Sequence, residues 1–394
     1  MEMRIFEYNF LRGFLSFING ILGRCGLKME VFMDTLSESP ARWIERRDGV
    51  RKRAGMYVGR VDDIGLHYLV DELLTNSVDS LPRDRAADIW VTIHHGREVT
   101  VADSGPGFPE ATRVLMADHL GSRVQGPDRV RSAPRGIGLF CVHALSSSLS
   151  LETAFDGQSY SLHSKDGLLT GPILPGGPAL STGTSITFTP HASFNAYAFE
   201  FDRIITHCRQ HAFLHPHVRF LLFDRRSGRR VSIHYPQGLA ALVRDLLVPS
   251  DREASVFHVP LELHRRSESL AEISLAIATA PDDSSTGVRS FWNYTPSPEG
   301  GTHVEAFHDA LRLLGLSMQN VTAALLVVSS QEQWRGCTKS AIDLPALKHS
   351  LTKLFAEHLA RWQTSMADRR GEVDSWGNRR TCYSGDASAL YLYR

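Results

Sequence analysis

The stretch VDELLTNSVDS, Val70 to Ser80, decides how the rest of the chain is read, because it sets Glu72, Asn76 and Asp79 inside an otherwise apolar run. At about 3.6 residues per turn, positions i, i+4 and i+7 fall on one helix face, so the polar side chains share a stripe. Leu69, Val70, Leu73, Leu74 and Val78 supply the apolar side. An amphipathic helix with a solvated stripe accounts for that pattern by itself. A chemical role for the stripe needs support from elsewhere in the chain.

Bulk properties narrow the field. With 394 residues, the chain is long enough for two domains, each with its own core. Its 42% hydrophobic and 22% charged content is that of a soluble globular protein. The 43 basic and 43 acidic residues cancel, so composition offers no overall electrostatic footprint for nucleic acid. Cys25, Cys141, Cys208, Cys337 and Cys382 are scattered and lack paired spacing, which predicts reduced thiols and a cytoplasmic setting. Near the start, Phe6, Phe10, Phe14, Phe17, Ile18 and Ile21 recur at roughly helical spacing. That segment reads as a weakly structured extension or as an amphipathic helix lying on a membrane or a partner. Arg12, Asn9 and Asn19 interrupt it too often for a bilayer span.

From Arg42 onward the pattern is mixed. A helix over 65–81 is followed by IWVTIHHGREVTVADSG, which reads as a hairpin turning at His95 and Gly96. A Gly-, Pro- and Arg-rich loop over 121–138 leads to a short helix over 139–145. Strands at 149–153, 159–163 and 184–189, a helix at 201–211 and a strand at 218–223 complete a first unit. A second unit has strands at 273–280, 288–294 and 323–329 and helices at 304–314 and 344–362. The result is an α+β chain in series: an extension over 1–41, units over 42–235 and 236–364, and an unassigned tail over 365–394.

Further segments bear on the stripe. Asp103 in VADSGPGFP ends a β-rich run just before a turn containing Gly105 and Gly107. A carboxylate there can accept from an exocyclic amine, and glycines let backbone approach a flat ring, although the motif taken alone reads more readily as a plain turn. RGIGLF sets Gly136, Ile137 and Gly138 ahead of a helix, where free amides favour phosphate. Thr184 in TGTSITF sits at a strand entry. HCRQHAFLHPH puts His207 and His211 on one helix face, a spacing that suits zinc but comes without an acidic helper in sequence.

Taken in order, VRKRAGMYVGRVDDIGLHYLVDELLTNSVDS, VTVADSGPGFP, RGIGLFCVHALS and TGTSITFTP resemble the ATPase domain of the DNA gyrase B and topoisomerase IV B subunits. That domain belongs to the GHKL superfamily, shared with histidine kinases, mismatch-repair ATPases and heat-shock chaperones. SFWNYTPSPEGGTHVEAFHDAL and QWRGCTKSAI look like the same family's transducer domain, so the likeness runs from about Arg42 to Trp362. It implies a Bergerat-type α/β sandwich followed by a transducer domain of ribosomal-protein-S5-like type. It also implies an ATPase that binds ATP with Mg²⁺ and closes as a homodimer, with DNA or a separate topoisomerase-type or nuclease subunit as possible partners. Nothing after Trp362 resembles the family's cleavage domain, so this chain is not expected to cut DNA alone.

Carried onto this sequence, the resemblance makes Glu72 the general base and Asn76 the Mg²⁺ ligand. Asp79 and Gly107 fall on the nucleotide-binding motifs. Asp103 would read the adenine amino group, with Thr184 in support. Gly136, Ile137 and Gly138 would cradle phosphates, Arg123 would contact them from the lid, and Lys339 would reach the γ-phosphate from the second unit. These residue types match what phosphoryl transfer needs: an oriented water, a divalent cation and positive charge on the equatorial oxygens. The sequence departs from the family at Tyr68, where a histidine usually orients the base, and at Ser80, Pro106 and Cys337. These departures predict slow turnover. They also favour an alternative, a nucleotide-binding scaffold that signals by occupancy, and leave open the ATPase subunit of a split topoisomerase.

Overall fold

The computed structural model of the chain describes residues 40–108, 138–171, 173–247, 257–262, 270–279, 287–316, 321–335 and 340–375. The polar-stripe helix is α3 (Asp63–Ser80), preceded by α1 (Pro40–Lys52) and α2 (Ala54–Val58). Asp62 caps α3 by accepting from the amides of Ile64 at 2.9 Å and Gly65 at 3.2 Å, a contact worth about 1 kcal/mol in helix stability. The helix ends where Leu81 turns extended ahead of Pro82, which cannot continue it. Leu66, Leu69, Val70, Leu73, Leu74 and Val78 are buried on its inner face.

Behind α3 stands a nine-stranded sheet in the order β5-β4-β3-β7-β2-β1-β8-β9, with β6 paired to β4. Its strands are β1 (Ala87–Ile93), β2 (Val99–Asp103), β3 (Ser146–Phe155), β4 (Gln158–Lys165), β5 (Leu168–Leu169), β6 (Leu174–Pro178), β7 (Gly183–Pro190), β8 (Val218–Asp224) and β9 (Arg229–Ile233). The pairs are antiparallel except β1 with β8. Alternation decides which face is covered: Ile89, Val91 and Ile93 of β1 and Ile186 and Phe188 of β7 point into the core. That core is closed by α3, α4 (Gly138–Ala144) and α5 (Phe201–Leu214). Helix α1 pins α4 in place. Arg51 donates to the carbonyls of Ala144 at 2.8 Å and Ser146 at 3.1 Å, and the Trp43 ring meets Phe140 edge-on.

The second unit has a five-stranded sheet, β10-β11-β14-β12-β13. These strands are β10 (Phe257–Glu262), β11 (Leu270–Thr279), β12 (Gly287–Trp292), β13 (Thr295–Pro296) and β14 (Val321–Ser329). Every residue of β14 is buried, because both faces of the strand are covered. Val321, Ala323, Leu325 and Val327 meet α7 (Thr302–Leu313) and α8 (Pro345–Ser375). Ala324, Leu326 and Val328 instead meet α6 (Leu239–Leu246) and Leu214 at the end of α5. The first unit therefore contributes directly to one layer of the second. A short ladder, β15 (Trp334–Arg335) with β16 (Ala341–Ile342), completes the described structure.

The principal elements fall where sequence periodicity places them. The differences have local causes. Helix α8 runs on to Ser375, eleven residues into the stretch expected as unassigned tail. Leu174–Pro178 carries the sequence LPGGP, is wholly exposed and has no alternation to betray a strand. The strand expected over 288–294 stops at Trp292, where Asn293 and Tyr294 turn the chain. The N-terminal extension, most of the Gly- and Arg-rich loop and the end of the tail lie outside the described residues.

Candidate active site

Glu72, Asn76 and Asp79 are half-buried along α3, between the buried apolar face and the surface. The Tyr68 hydroxyl, one turn before Glu72, hydrogen-bonds the Glu72 carboxylate. The residue is 37% exposed, yet partial desolvation of the hydroxyl, then the charge and hydrogen bond of Glu72, hold the phenol well above its ordinary pKa, so it stays a donor. Asn76 Nδ2 donates to the Glu72 backbone carbonyl at 2.8 Å. The amide oxygen, the end that suits a hard cation, is therefore not spent on the backbone. Glu72 also packs directly on the first residue of α4: a Cβ at Gly138 would lie 1.7 Å from Glu72 Oε2. A side chain at 138 would have to push the Glu72 carboxylate aside.

Farther along the helix, Ser77 turns inward and donates to Asp103 Oδ2 at 3.0 Å. The Gly105 amide donates to Asp103 Oδ1 at 2.9 Å. Asp103 pairs with Thr184 across β2 and β7 and is 7% exposed. Burial raises its carboxyl to a pKa of about 6, against the opposing hydrogen bonds of Gly105, Ser77 and Thr184. Beside it, Thr153 of β3 accepts the Phe108 amide at 2.7 Å and sits 3.4 Å from the Thr184 hydroxyl. Gly107 has φ +78°, and a Cβ there would lie 2.3 Å from the Ala154 carbonyl oxygen. The turn after Asp103 thus lies flat on β3, and the protein's own packing demands glycine at 107 whatever binds beside it.

Helix α3 thereby joins two chemically different places, a hydrogen-bonded carboxylate against a helix start and a buried carboxylate beside a glycine turn. Of the residues singled out from sequence, Glu72 and Gly138 touch, Asn76 bonds within the same helix, and Asp103 and Thr184 pair across the sheet. Asp79 lies within electrostatic reach of Tyr294 in the second unit. Arg123, Gly136, Ile137 and Lys339 lie outside the described residues. Ser77 and Thr153 were not anticipated. Ser77 reads as part of the apolar helix until Asp103 is brought beside it, and Thr153 is one β-branched strand residue among many.

The histidine pair resolves differently from the zinc reading. His207 Nδ1 and His211 Nε2 both lie 3.1 Å from Asp71 Oδ1 on α3. The acidic partner that sequence did not reveal therefore exists, and it serves to bind α5 to α3. Burial pushes the Asp71 carboxyl upward, but the two imidazole hydrogen bonds outweigh this and hold it well below the usual carboxylate range. Among the described residues, no group of three or more His, Cys, Asp or Glu side chains is placed to hold a metal ion. None of the described helices is long and apolar enough to cross a membrane.

This layered sheet, with the stripe helix and a buried Asp next to a glycine turn, has counterparts among known proteins. Residues 61–193 match the family described as histidine kinase-, DNA gyrase B-, and HSP90-like ATPase. The novobiocin-resistant gyrase B protein of Streptomyces niveus is 32% identical over 365 residues, covering 80% of this chain and 53% of that protein. The topoisomerase 4 B protein of Streptococcus pneumoniae is 27% identical over 368 residues, covering 84% of this chain and 56% of that protein. Among solved structures, the 43K ATPase domain of Thermus thermophilus gyrase B, in complex with an aminocoumarin, superposes with a TM-score of 0.68. It shares 22% identity, over 84% of this chain and 93% of that one. The topoisomerase IV ATP-binding domain of Francisella tularensis gives a TM-score of 0.63 at 20% identity, covering 81% of this chain and 92% of that one. Over the region that these comparisons cover, the chain is similar to gyrase B and topoisomerase IV B subunits, and its residues 61–193 match the ATPase family that they share. It spans about half the length of the curated relatives it matches.

Proposed function

We propose that this chain binds Mg-ATP between α3, β2 and the start of α4 and hydrolyses it, coupling occupancy to closure of a homodimer. The observation that carries the reading is that one helix presents Glu72 to Gly138 and, five residues on, Ser77 to Asp103. These two places are suited to the phosphate and adenine ends of one nucleotide. Asp103, ionised and held by Ser77 and Gly105, accepts from the adenine amino group, with Thr184 beside it. Glu72, oriented by Tyr68, holds the attacking water and takes its proton. Tyr68 stands where the related ATPases have a histidine to orient the base, so turnover is slow. Asn76 is the residue that would hold Mg²⁺, which supplies charge neutralisation on the phosphate oxygens when bound. Asp79 and Gly107 line the site. Arg123, Gly136, Ile137 and Gly138 belong to the phosphate side of it, and Lys339 adds positive charge from the second unit, which we take as 236–364 after an ATPase unit over 42–235.

Phosphate release and light scattering, followed together with ATP, ADP and a non-hydrolysable analogue, test this reading. Steady release with ATP and increased scattering with ATP and the analogue, but not with ADP, is the expected result. A second reading, favoured by the Tyr68 to Glu72 bond, is a scaffold that binds ATP without turnover. Tight analogue binding with no phosphate release would establish it. DNA, or a separate cleavage subunit, is the partner class that the homology suggests for the closed dimer.

Two further outcomes arise from the site. Because the Asp103 carboxyl titrates near pH 6, nucleotide affinity should hold at neutral pH and fall as pH drops through that value. The protonated acid no longer offers the adenine amine a full acceptor. Calorimetry at pH 6 in buffers of differing ionisation enthalpy should show proton release on binding. Gly138→Ala forces the Glu72 carboxylate aside, and a displacement of that size is expected to cut turnover about 100-fold. Adenine-end affinity, measured with adenosine, which has no phosphate, should change little.

A further inference from the structure

The exit of α3 leads to a contact between the two units that the nucleotide reading does not use. Past Pro82 the chain brings Arg83 onto the hairpin that joins β12 and β13. Its guanidinium lies over the Tyr294 ring, 4.7 Å from the centroid, and donates to the Tyr294 hydroxyl. It also reaches Glu272 of β11 at 3.3 Å, and the Tyr294 hydroxyl donates to the same Glu272 oxygen at 2.9 Å. Tyr294 is 7% exposed and stacks on His215 with ring centroids 4.6 Å apart. His215 caps the C-terminus of α5 and follows His211, which bonds Asp71 beside Glu72. Burial, followed by the nearby His211, Arg83 and His217, keeps His215 neutral by lowering its pKa well below the usual imidazole value. A neutral ring stacks under a cation without repulsion.

Tyr294 is thus tied to α3 twice, at the helix exit through Arg83 and beside Glu72 through His215, His211 and Asp71. It also stands where the backbone prefers another residue. Asn293 has φ +49° and Tyr294 φ +63°, the pattern of a two-residue hairpin turn whose second position favours glycine. A bulky side chain kept in the left-handed region points to a use for that side chain.

We propose that Tyr294 is a positioning residue, clamping the helix that carries Glu72 and Asn76 to the second unit so that motion of either unit is felt at the polar stripe. The kinetic part of this inference rests on the Mg-ATP reading; the mechanical part does not. Tyr294→Phe keeps the ring but removes both hydroxyl bonds, and Arg83→Ala removes the other half. Without nucleotide, hydrogen exchange at the Ser77–Leu81 amides should speed up at least about threefold in each variant, and the double variant should add little. With ATP, kcat should fall about tenfold while KM stays within about twofold, and Arg83→Lys should restore most of it. Unchanged exchange in both single variants overturns the proposal. So does a parallel loss of kcat, affinity and melting temperature, which would mark a merely structural contact. A wild-type chain without turnover overturns the ATPase reading alone, and the exchange result then decides the linkage.

Discussion

Replacing Glu72 by glutamine is expected to lower steady phosphate release by at least about 100-fold, the lower range for loss of a general base. Affinity for a non-hydrolysable ATP analogue should stay within about threefold, a change of under about 1 kcal/mol. Glutamine keeps the length of the side chain and can still accept from Tyr68, so the packing on Gly138 survives. What it loses is the negative charge that takes a proton from water. The comparison must therefore report release and binding on the same protein. Equal release from wild type and variant would show that Glu72 is not the base, and loss of binding together with release would place its role in holding the helix start.

Asp103→Asn carries the second large effect, a rise in the ATP-analogue Kd of at least about 100-fold, or about 2.8 kcal/mol. The carboxylate accepts from the Ser77 hydroxyl on one oxygen and from the Gly105 amide on the other. The Gly105 amide can only donate, so an asparagine must turn its single acceptor oxygen to it and its N–H₂ towards Ser77, whose hydroxyl can accept. The adenine amine then meets an N–H₂ where it had a carboxylate oxygen. Thermal melting separates this from unfolding. A variant that melts near wild type yet fails to bind supports the adenine role, whereas wild-type affinity would remove Asp103 from the site.

Much of the fold was legible because its cues are local. The stripe helix announces itself by period, and the first hairpin by two β-rich segments joined at His95 and Gly96. Short or irregular strands were not legible. Leu174–Pro178 is wholly exposed and pairs with β4 through backbone groups and the Ser159 hydroxyl, and Arg229–Ile233 is an edge strand with a single buried residue. The candidate site was legible in part, through the motif order around Glu72, Asn76, Asp103 and Gly138. Its supporting bonds were not, since Ser77 and Asp103 are 26 residues apart and His211 and Asp71 are 140 apart.

The amino-acid sequence by itself determined which residues line one face of α3, where the glycine turn follows a strand, and that two α+β units run in series. Those are matters of spacing, propensity and backbone freedom, which act over a few residues. Only the tertiary structure decided that Ser77 faces Asp103, that Asp71 is the partner of His207 and His211, and that Arg83 meets Tyr294 across 211 residues of chain. Such pairings depend on which buried faces the sheet order brings together, and a carboxylate's surroundings, hence its charge, exist only once those faces have met.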